Sequence, residues 1–312
     1  MHDDTARFEQ HRATLTRLAY RMLGSNAEAE DVVQDAYLRW SGAQSRTAIA
    51  DDAAYLRATV TRLALDRLRS ARAQRETYVG PWLPEPIMVD DAADPAQAAA
   101  LADDVSFALM LALERLSPLE RAAFILHDVL DVPFAEIATT LDRSEEATRR
   151  LAARAREHVR EPRNRRSTQR EATSRMRDAF AAALRAGDVE ALTQLLTDDV
   201  VLLSDGGGKA SAAINPLLGR GRVSAFLIGL ARKRAADVTA VIPALLNGDP
   251  GFVVLGNERG FEEGVIQTLA IETNGTQITA IYVTRNPDKL HGVAARVRAL
   301  QAAPPRSPPA TQ

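Results

Sequence analysis

Residues 117–160 read SPLERAAFILHDVLDVPFAEIATTLDRSEEATRRLAARAREHVR, and they predict three helices separated by two turns. Ser117, followed by a proline and then by Glu120, is typical of a capped helix start. Asp131-Val132-Pro133 predicts a break, because proline does not continue a helix. Residues 134–141 carry apolar side chains at helical spacing. After a turn, Ser144 can cap a third helix that is rich in arginine.

The third helix has one apolar and one basic side. Its apolar stripe is Ala147, Leu151, Ala155 and Val159. The arginines are Arg149, Arg156 and Arg160 opposite the stripe, and Arg143, Arg150 and Arg154 along one flank. This corner is typical of a helix-turn-helix, whose second helix lies in the major groove of DNA, although a solvated bundle helix is the alternative. Arginine binds phosphates or guanine edges, and the sequence leaves open which.

The composition is that of a globular chain with local charge. The 312 residues are 46% hydrophobic and 26% charged, with a formal net charge of −2 and no cysteine. Basic residues are concentrated instead: residues 143–177 contain twelve arginines and five acids, an excess of seven. We expect no disulfide, no signal peptide and no membrane span, and therefore a cytoplasmic protein.

The first part of the chain, residues 5–73, predicts helices only. A helix over residues 28–40 would pack Val33, Ala36, Tyr37 and Trp40 inward and leave Asp31, Gln34, Asp35, Leu38 and Arg39 outside. Residues 41–52 are polar and predict a loop. Another helix, over residues 53–73, carries several arginines, among them Arg57 and Arg62.

These stretches resemble bacterial sigma factors of the extracytoplasmic-function class. AEDVVQDAYLRW at 29–40 resembles their polymerase-binding helix, residues 55–69 resemble their −10-element helix, and residues 117–160 resemble their −35-reading domain. The resemblance implies docking on the clamp helices of the largest subunit of core RNA polymerase. It also implies a −10 base held by the loop at 41–52 and by Tyr55.

The resemblance turns the exposed side chains into candidate sites. The expected polymerase-binding residues are Asp31, Gln34, Asp35, Leu38 and Arg39. The expected DNA-binding residues are Arg57, Arg62, Arg143, Ser144, Thr148, Arg149, Arg150 and Arg154.

Between the helical regions, residues 76–104 contain four prolines and five aspartates, a composition that predicts a linker. Trp82 and Leu83 lie among the prolines, and a linker tryptophan needs a surface on which to be buried. Residues 172–295 predict an α+β domain, helices first and then a four- or five-stranded antiparallel sheet. We expect residues 296–312 to be a disordered tail.

Three strings narrow the resemblance: WLPEP at 82–86, DGGGK at 205–209 and NPDKL at 286–290. They are similar to the sigma-factor subgroup with a SnoaL-like C-terminal domain, a cone fold shared with ketosteroid isomerase. The resemblance implies regulation in cis by that domain, packed on the linker and the helical domains, with no separate anti-sigma partner. The expected regulatory residues are Trp82, Leu83, Asp205, Gly206, Gly207, Gly208, Lys209, Asn286, Pro287 and Asp288.

The predicted architecture is thus multi-domain. Two all-α domains, sigma region 2 at 1–75 and the region 4 helix-turn-helix at 105–162, flank the linker at 76–104 and precede the α+β domain at 172–295. We expect a sigma factor for promoter-specific initiation, with no catalytic activity, cofactor or metal.

Two other classes of protein fit parts of the sequence. The first is a fusion with a small-molecule-binding or isomerase-like domain, for which Asp205, Asp288 or His291 would be the base. The sequence leaves open whether this domain binds a small-molecule ligand and whether the glycine turn binds an anion. The second is a dimeric ligand-sensing repressor, against which the polymerase-binding helix argues.

Overall fold

The computed structural model describes residues 2–44, 49–89, 105–159, 170–261 and 264–302. These residues belong to two compact units. The first contains the described residues up to Glu85 and those of 105–170, and the second contains residues 86–89 and those from 171 onward. The two helical regions that the sequence predicts as separate domains therefore form a single unit.

The first unit begins with α1 (His2–Leu23), α2 (Asn26–Gln44) and α3 (Asp52–Glu76), which pack against one another. Gly24 ends α1 with a positive φ of 73°, a conformation that glycine adopts at no steric cost. Trp40 is fully buried, and its indole N–H donates to Asp52 Oδ1 at 2.9 Å. The loop predicted from residue 41 begins later, because α2 continues to Gln44, and residues 45–48 lie outside the described part.

The same unit continues with α4 (Phe107–Glu114), α5 (Pro118–Phe124), a π-helical turn (Ile125–Val129), α6 (Phe134–Leu141) and α7 (Glu145–Val159). The predicted capping box is confirmed: Ser117 Oγ accepts from the Glu120 backbone N–H, and the Glu120 carboxylate accepts from the Ser117 N–H. Both predicted turns pass through an aspartate, Asp131 and Asp142, each with a φ of 53°. Aspartate tolerates this left-handed conformation because its short side chain can hydrogen-bond locally.

The second unit contains four helices and seven strands among its described residues. The helices are α8 (Arg170–Ala186), α9 (Val189–Leu195), α10 (Arg220–Arg234) and α11 (His291–Ala302). The strands are β1 (Met88–Val89), β2 (Leu196–Asp205), β3 (Leu217–Leu218), β4 (Val238–Leu246), β5 (Asp249–Gly256), β6 (Val265–Thr273) and β7 (Ile278–Thr284).

These strands form one sheet in the order β1-β4-β5-β6-β7-β2-β3. The α+β class is confirmed, but the prediction of four or five antiparallel strands is wrong. β1 and β3 have two residues each, too few to show alternation, and β2 runs parallel to β7. Helix α10 lies against β2, and the side chains between the helices and the sheet form the apolar core of the unit, including Phe180, Leu202, Leu227, Phe252, Leu269 and Val283.

Two predicted boundaries are wrong. Met88 and Val89, placed in the linker, are β1 and pair with Leu246 and Leu245 of β4. Residues 296–302, placed in the tail, continue α11 through Ala302, and Val297 is buried. The remaining linker residues 90–104 and tail residues 303–312 lie outside the described part.

Candidate nucleic-acid and polymerase interfaces

Helix α7 has the apolar and basic faces that the sequence predicts. Leu151 and Ala155 are buried, and Ala147 and Val159 are half-buried on the same stripe, which faces α5 and α6. The helix begins after Ser144, whose Oγ accepts a hydrogen bond from the Ala147 backbone N–H at 3.2 Å. The opposite face of α7 is therefore open.

The arginines on that open face pair with carboxylates. The pairs are Arg149 with Glu145, Arg150 with Glu146, Arg154 with Glu120, and Arg156 with Asp128. These arginine side chains remain 43–74% exposed. In the pairs of Arg149 and Arg150 the carboxylate is also about half exposed or more, and because such ion pairs contribute only about 0–1 kcal/mol, a phosphate could replace the carboxylate at small cost. Arg143 donates to the Asp142 carbonyl at 2.7 Å, and Arg160 lies outside the described residues.

Thr148 does not belong to this face. Its side chain is fully buried, and its hydroxyl donates to the Ser144 carbonyl at 3.0 Å. The prediction that Thr148 binds DNA is wrong for this reason: it lies one helical turn after the cap, on the side of α7 that packs inward. Ser144 is a helix cap, which leaves its side chain at the edge of the basic face.

Arg149 rests on the neighbouring helix. Its guanidinium carbon lies 4.6 Å from the ring centroid of Phe134, the first residue of α6. The Phe134 ring in turn lies 3.8 Å from the ring of His127 in the π-helical turn. An arginine stacked on an aromatic ring keeps the N–H groups on its edge available for base or phosphate acceptors.

Glu120 connects the cap of α5 to the basic helix. Burial raises the pKa of the Glu120 carboxyl. Hydrogen bonds from the Ser117 hydroxyl and backbone N–H, together with the charges of Arg154 and His158, lower the pKa by more than burial raises it. The net pKa of Glu120 lies below its ordinary value. Arg154, 3.3 Å from Glu120 Oε1, is therefore paired with an ionised carboxylate at neutral pH.

On α2, the predicted polymerase-binding residues share an outer face. Asp31, Gln34, Leu38 and Arg39 are exposed, and Asp35 is half-buried. Leu38 is 61% exposed, a large apolar side chain surrounded by polar ones. Arg67 of α3 lies 3.4 Å from Asp31 and 3.5 Å from Asp35, so it partly neutralises the acids beside Leu38. An exposed apolar residue inside a polar ring is the usual composition of a protein-docking surface.

The predicted DNA-binding arginines of α3 face α6. Arg57 Nε donates to Glu136 Oε1 at 3.1 Å, and its Nη2 contacts the same oxygen. Arg62 donates from Nε to the Thr140 carbonyl at 3.0 Å and from Nη2 to the Thr139 carbonyl at 3.1 Å. Both arginines are thus engaged inside the first unit.

The start of the linker is fixed to the first unit around Gly24. A Cβ added to Gly24 would lie 2.4 Å from the Trp82 ring, so the indole needs a glycine there. Glu85 is buried, and its carboxylate accepts from the Asn26 backbone N–H at 2.7 Å, at the start of α2. The Tyr20 hydroxyl donates to the Glu85 carbonyl at 2.7 Å. Trp82 therefore lies against the end of α1, and Leu83 beside it is fully buried.

In the second unit, the structure brings together the glycine turn and the NPDKL string. Lys289 Nζ lies 2.7 Å from Asp205 Oδ2, and Lys209 Nζ lies 2.5 Å from Asp288 Oδ2. Asp205 is fully buried, and its carbonyl accepts from the Asn286 backbone N–H at 2.9 Å. Pro287–Lys289 is one 3₁₀ turn.

Sequence reasoning missed three residues of this region: Lys289, Arg285 and Glu258. Lys289 stands inside the quoted NPDKL string, and its charge opposite to that of Asp205 was the available signal. Arg285 is buried, and its guanidinium lies 2.5 Å from Glu258 and donates to the Ser211 carbonyl at 2.7 Å. The sequence carries no local signal for a pair separated by 27 residues.

Two of the three candidate catalytic bases, Asp205 and Asp288, are engaged in ion pairs. Asp205 is buried against Lys289, and Asp288 is an exposed partner of Lys209. Nothing in this arrangement favours the isomerase-like alternative. Among the described residues, no group of His, Asp and Glu side chains could hold a metal ion. Nor does any helix in these ranges combine the length and apolar character needed to cross a membrane.

Two family models match the first unit. The model for Sigma-70 region 2 matches residues 7–74, which include α2 and most of α3, and the model for Sigma-70, region 4 matches residues 106–159, which include α4 to α7. These are the two helical regions expected from the sequence.

Similarity to known proteins covers nearly the whole chain. The chain is 39% identical over 303 residues to the ECF RNA polymerase sigma factor SigJ of Mycobacterium tuberculosis, which covers 96% of each chain. It is 31% identical over 296 residues to a probable ECF RNA polymerase sigma factor, SigI, of the same species, covering 94% of this chain and 97% of that one. The crystal structure of SigJ matches with a TM-score of 0.74 and 38% identity, covering 92% of this chain and 98% of that one. The chain belongs to the extracytoplasmic-function RNA polymerase sigma factors.

Proposed function

We propose that this chain binds core RNA polymerase in the cytoplasm through α2 and directs initiation at promoters that α3 and α7 recognise. The exposed face of α2 would dock on the clamp helices of the largest subunit. Arg57 and Arg62 of α3 would bind the −10 region, and Arg143, Arg149, Arg150 and Arg154 would bind the −35 region. The observation that carries the proposal is the exposure of Leu38 among Asp31, Asp35 and Arg39, on the helix that resembles the polymerase-binding helix.

The test is reconstitution. The purified chain is mixed with core polymerase, the complex is isolated by gel filtration, and transcription from sheared genomic DNA is mapped by the 5′ ends of the products. We expect a stable complex and a small set of start sites that share two motifs at constant spacing. No complex with core enzyme, or start sites identical to those of core enzyme alone, would exclude this function.

We further propose that the C-terminal domain regulates this activity in cis, through the linker and without a separate anti-sigma protein. The support comes from the course of the chain. The segment that ends at Glu85 belongs to the first unit, and the residues after it belong to the second. Two hydrogen bonds of 2.8 Å join Ile87 to Asn247, the residue after β4. The Ile87 backbone N–H donates to the Asn247 side-chain oxygen Oδ1, and the Asn247 backbone N–H donates to the Ile87 carbonyl. A short β-strand held by few bonds is readily released.

The test compares the full chain with a chain that ends at Arg170 and with the variant Asn247→Gly. Glycine keeps the left-handed backbone that Asn247 adopts, with a φ of 52°, but removes the side-chain acceptor for Ile87. We expect both changes to alter transcription from the mapped promoters. Equal output from all three proteins at equal occupancy of core enzyme would refute regulation in cis.

A further inference from the structure

Within the first unit, α6 contacts α3 through the two arginines expected to bind DNA. Arg57 holds the Glu136 carboxylate with two N–H groups, and Arg62 holds two successive carbonyls, Thr139 and Thr140. The Arg57 side chain is 25% exposed and that of Glu136 is 33% exposed. The pairs between successive turns of α7, Arg149 with Glu145 and Arg150 with Glu146, are more open, with side chains 46–75% exposed. The contact between α3 and α6 is therefore the more enclosed of the two.

The acceptors on α6 have the chemistry of a DNA backbone. A guanidinium binds carboxylate and phosphate oxygens with the same forked geometry. The carbonyls of the last helical turn lack partners within the helix and carry the partial negative charge of the helix dipole. Glu136 and the carbonyl end of α6 thus offer Arg57 a full negative charge and Arg62 a partial one, on acceptor oxygens of the kind that a DNA backbone presents.

A buried arginine anchors this arrangement. Arg121 of α5 is 2% exposed, and it donates to the Met22 carbonyl of α1 at 2.7 Å and to the Leu113 carbonyl of α4 at 2.9 Å. It also pairs with Glu114 at 2.7 Å. Because Arg121 joins the first helices to the helix-turn-helix, α6 is held at α3 by more than one surface ion pair.

We propose that α6 is an intramolecular substitute for DNA phosphates on α3. In this conformation Glu136 and the end of α6 occupy Arg57 and Arg62, so DNA reaches these arginines only by displacing α6. The contact is an autoinhibitory clasp between the −10-binding and −35-binding regions, distinct from any action of the C-terminal domain. The inference rests on the proposed role of α3 in DNA binding.

Phosphate contacts do not depend on base sequence, so the clasp can be tested without knowledge of the promoter. The full chain is titrated against a fluorescent single-stranded 20-nucleotide DNA of random sequence at low salt. The variants are Glu136→Gln, Arg57→Gln and the double variant. Glu9→Gln is the matched control, because it removes one negative charge from an exposed pair with Arg12 on α1, where no DNA-binding residue is proposed, and leaves the clasp intact.

We expect Glu136→Gln to tighten DNA binding about three- to fivefold, the change for losing one competing ion pair. Glu9→Gln should change DNA binding by less than about twofold, and Arg57→Gln should remove the gain in the Glu136→Gln background. Equal gains for the two glutamine variants would show a general charge effect and overturn the clasp. So would the absence of any gain.

A second measurement tests, without DNA, whether Glu136 shields Arg57 from a reagent in solution. Phenylglyoxal modifies accessible arginines, and peptide mass spectrometry gives the rate at each site. We expect Arg57 to react slowly in the free chain and several-fold faster in Glu136→Gln, with Arg150 unchanged in rate. An unchanged Arg57 rate refutes the clasp and leaves the proposed function standing. A faster Arg57 rate without tighter DNA binding shows that Glu136 covers Arg57 but refutes the role of α3 in DNA binding, and the clasp is overturned with it.

Discussion

Lys289 Nζ lies 2.7 Å from Oδ2 of Asp205, a carboxylate with no exposed surface, across 84 residues of sequence. Lys209, four residues after Asp205, contacts Asp288, the residue before Lys289, with its Nζ 2.5 Å from Oδ2. Each string thus supplies a lysine to the aspartate of the other. The DGGGK and NPDKL strings, expected as surfaces for another part of the chain, are first of all partners of each other.

The two ion pairs differ in burial, and this difference predicts unequal effects. Lys289→Met should destabilise the second unit by about 3–5 kcal/mol, because it leaves a buried charge without its lysine. Lys209→Met should cost about 0–1 kcal/mol, because both of its pair are more than half exposed. Hydrogen exchange of β2 and β7 is the suitable measurement, since both tryptophans of the chain, Trp40 and Trp82, lie in the first unit. Similar losses of protection in both variants would contradict the assignment.

The glycine turn offers a second comparison. A Cβ on Gly206 would lie 2.3 Å from the Ala210 carbonyl oxygen and 2.8 Å from the Ala212 Cβ. Gly206→Ala should therefore destabilise the second unit by about 1–3 kcal/mol, through overpacking against backbone. Gly229→Ala is the control, because Gly229 lies inside α10 with nothing within 4 Å of its added Cβ. That change should stabilise the unit by about 0.5–1 kcal/mol. Protection of β2 against hydrogen exchange should fall in the first variant and not in the second.

Local patterns predicted the helices of the first unit well. Ser117 and Glu120 marked a cap three residues apart, and the spacing of Leu151 and Ala155 marked the buried side of α7. These signals depend on neighbours in sequence, which helical periodicity makes visible. Thr148 was misplaced although it is on the same helix, because a threonine close to the border of two faces can hydrogen-bond its own backbone and turn inward.

Long-range contacts could not be predicted in the same way. Arg57 and Glu136 are 79 residues apart, and nothing in the sequence around either indicates the other. The same holds for the pairing of Met88 with Leu246, since a two-residue strand has no alternation to detect. Such contacts depend on how whole helices and strands pack. The Arg57–Glu136 contact joins α3 to α6 in the first unit, and the Met88–Leu246 pairing makes part of the predicted linker a strand of the sheet.

The exposed leucine of α2 carries the prediction on polymerase binding. Leu38→Glu should abolish co-purification with core polymerase, because it places a charge in the centre of the proposed interface. Leu38→Ala should weaken it less, by about the contribution of one apolar side chain, 1.5–3 kcal/mol. Val241→Glu, at a site 49% exposed in β4, is the control for adding a charge to an exposed apolar position and should bind normally. Normal binding of Leu38→Glu would show that α2 docks elsewhere.

The stack of Arg149 on Phe134 predicts a coupling between the two residues in −35 recognition. Phe134→Ala should weaken binding of holoenzyme to its promoter about two- to fivefold, the range expected from an exposed cation–π contact of 0.5–1 kcal/mol. Phe134→Tyr keeps a ring under the guanidinium and should retain binding. In an Arg149→Ala background, Phe134→Ala should cost nothing further. Additive losses would mean that Phe134 acts on the helix-turn-helix as a whole.

The capping box predicts an acid-dependent contribution to the stability of the first unit. Because the folded pKa of Glu120 is lower than its ordinary value of 4.5, the contribution is complete above pH 4.5 and is lost as the pH falls through the folded value. Glu120→Gln keeps an N3 side chain able to bond the Ser117 N–H but removes the charge near Arg154. At pH 7 this variant should be less stable than the natural chain by about 0.3–1 kcal/mol, and the difference should shrink as the pH falls below the ordinary value of 4.5. Urea titrations followed by tryptophan fluorescence report the first unit, and Glu146→Gln controls for the loss of an acid. A difference that grew as the pH fell would reverse the sign and exclude a lowered pKa at Glu120.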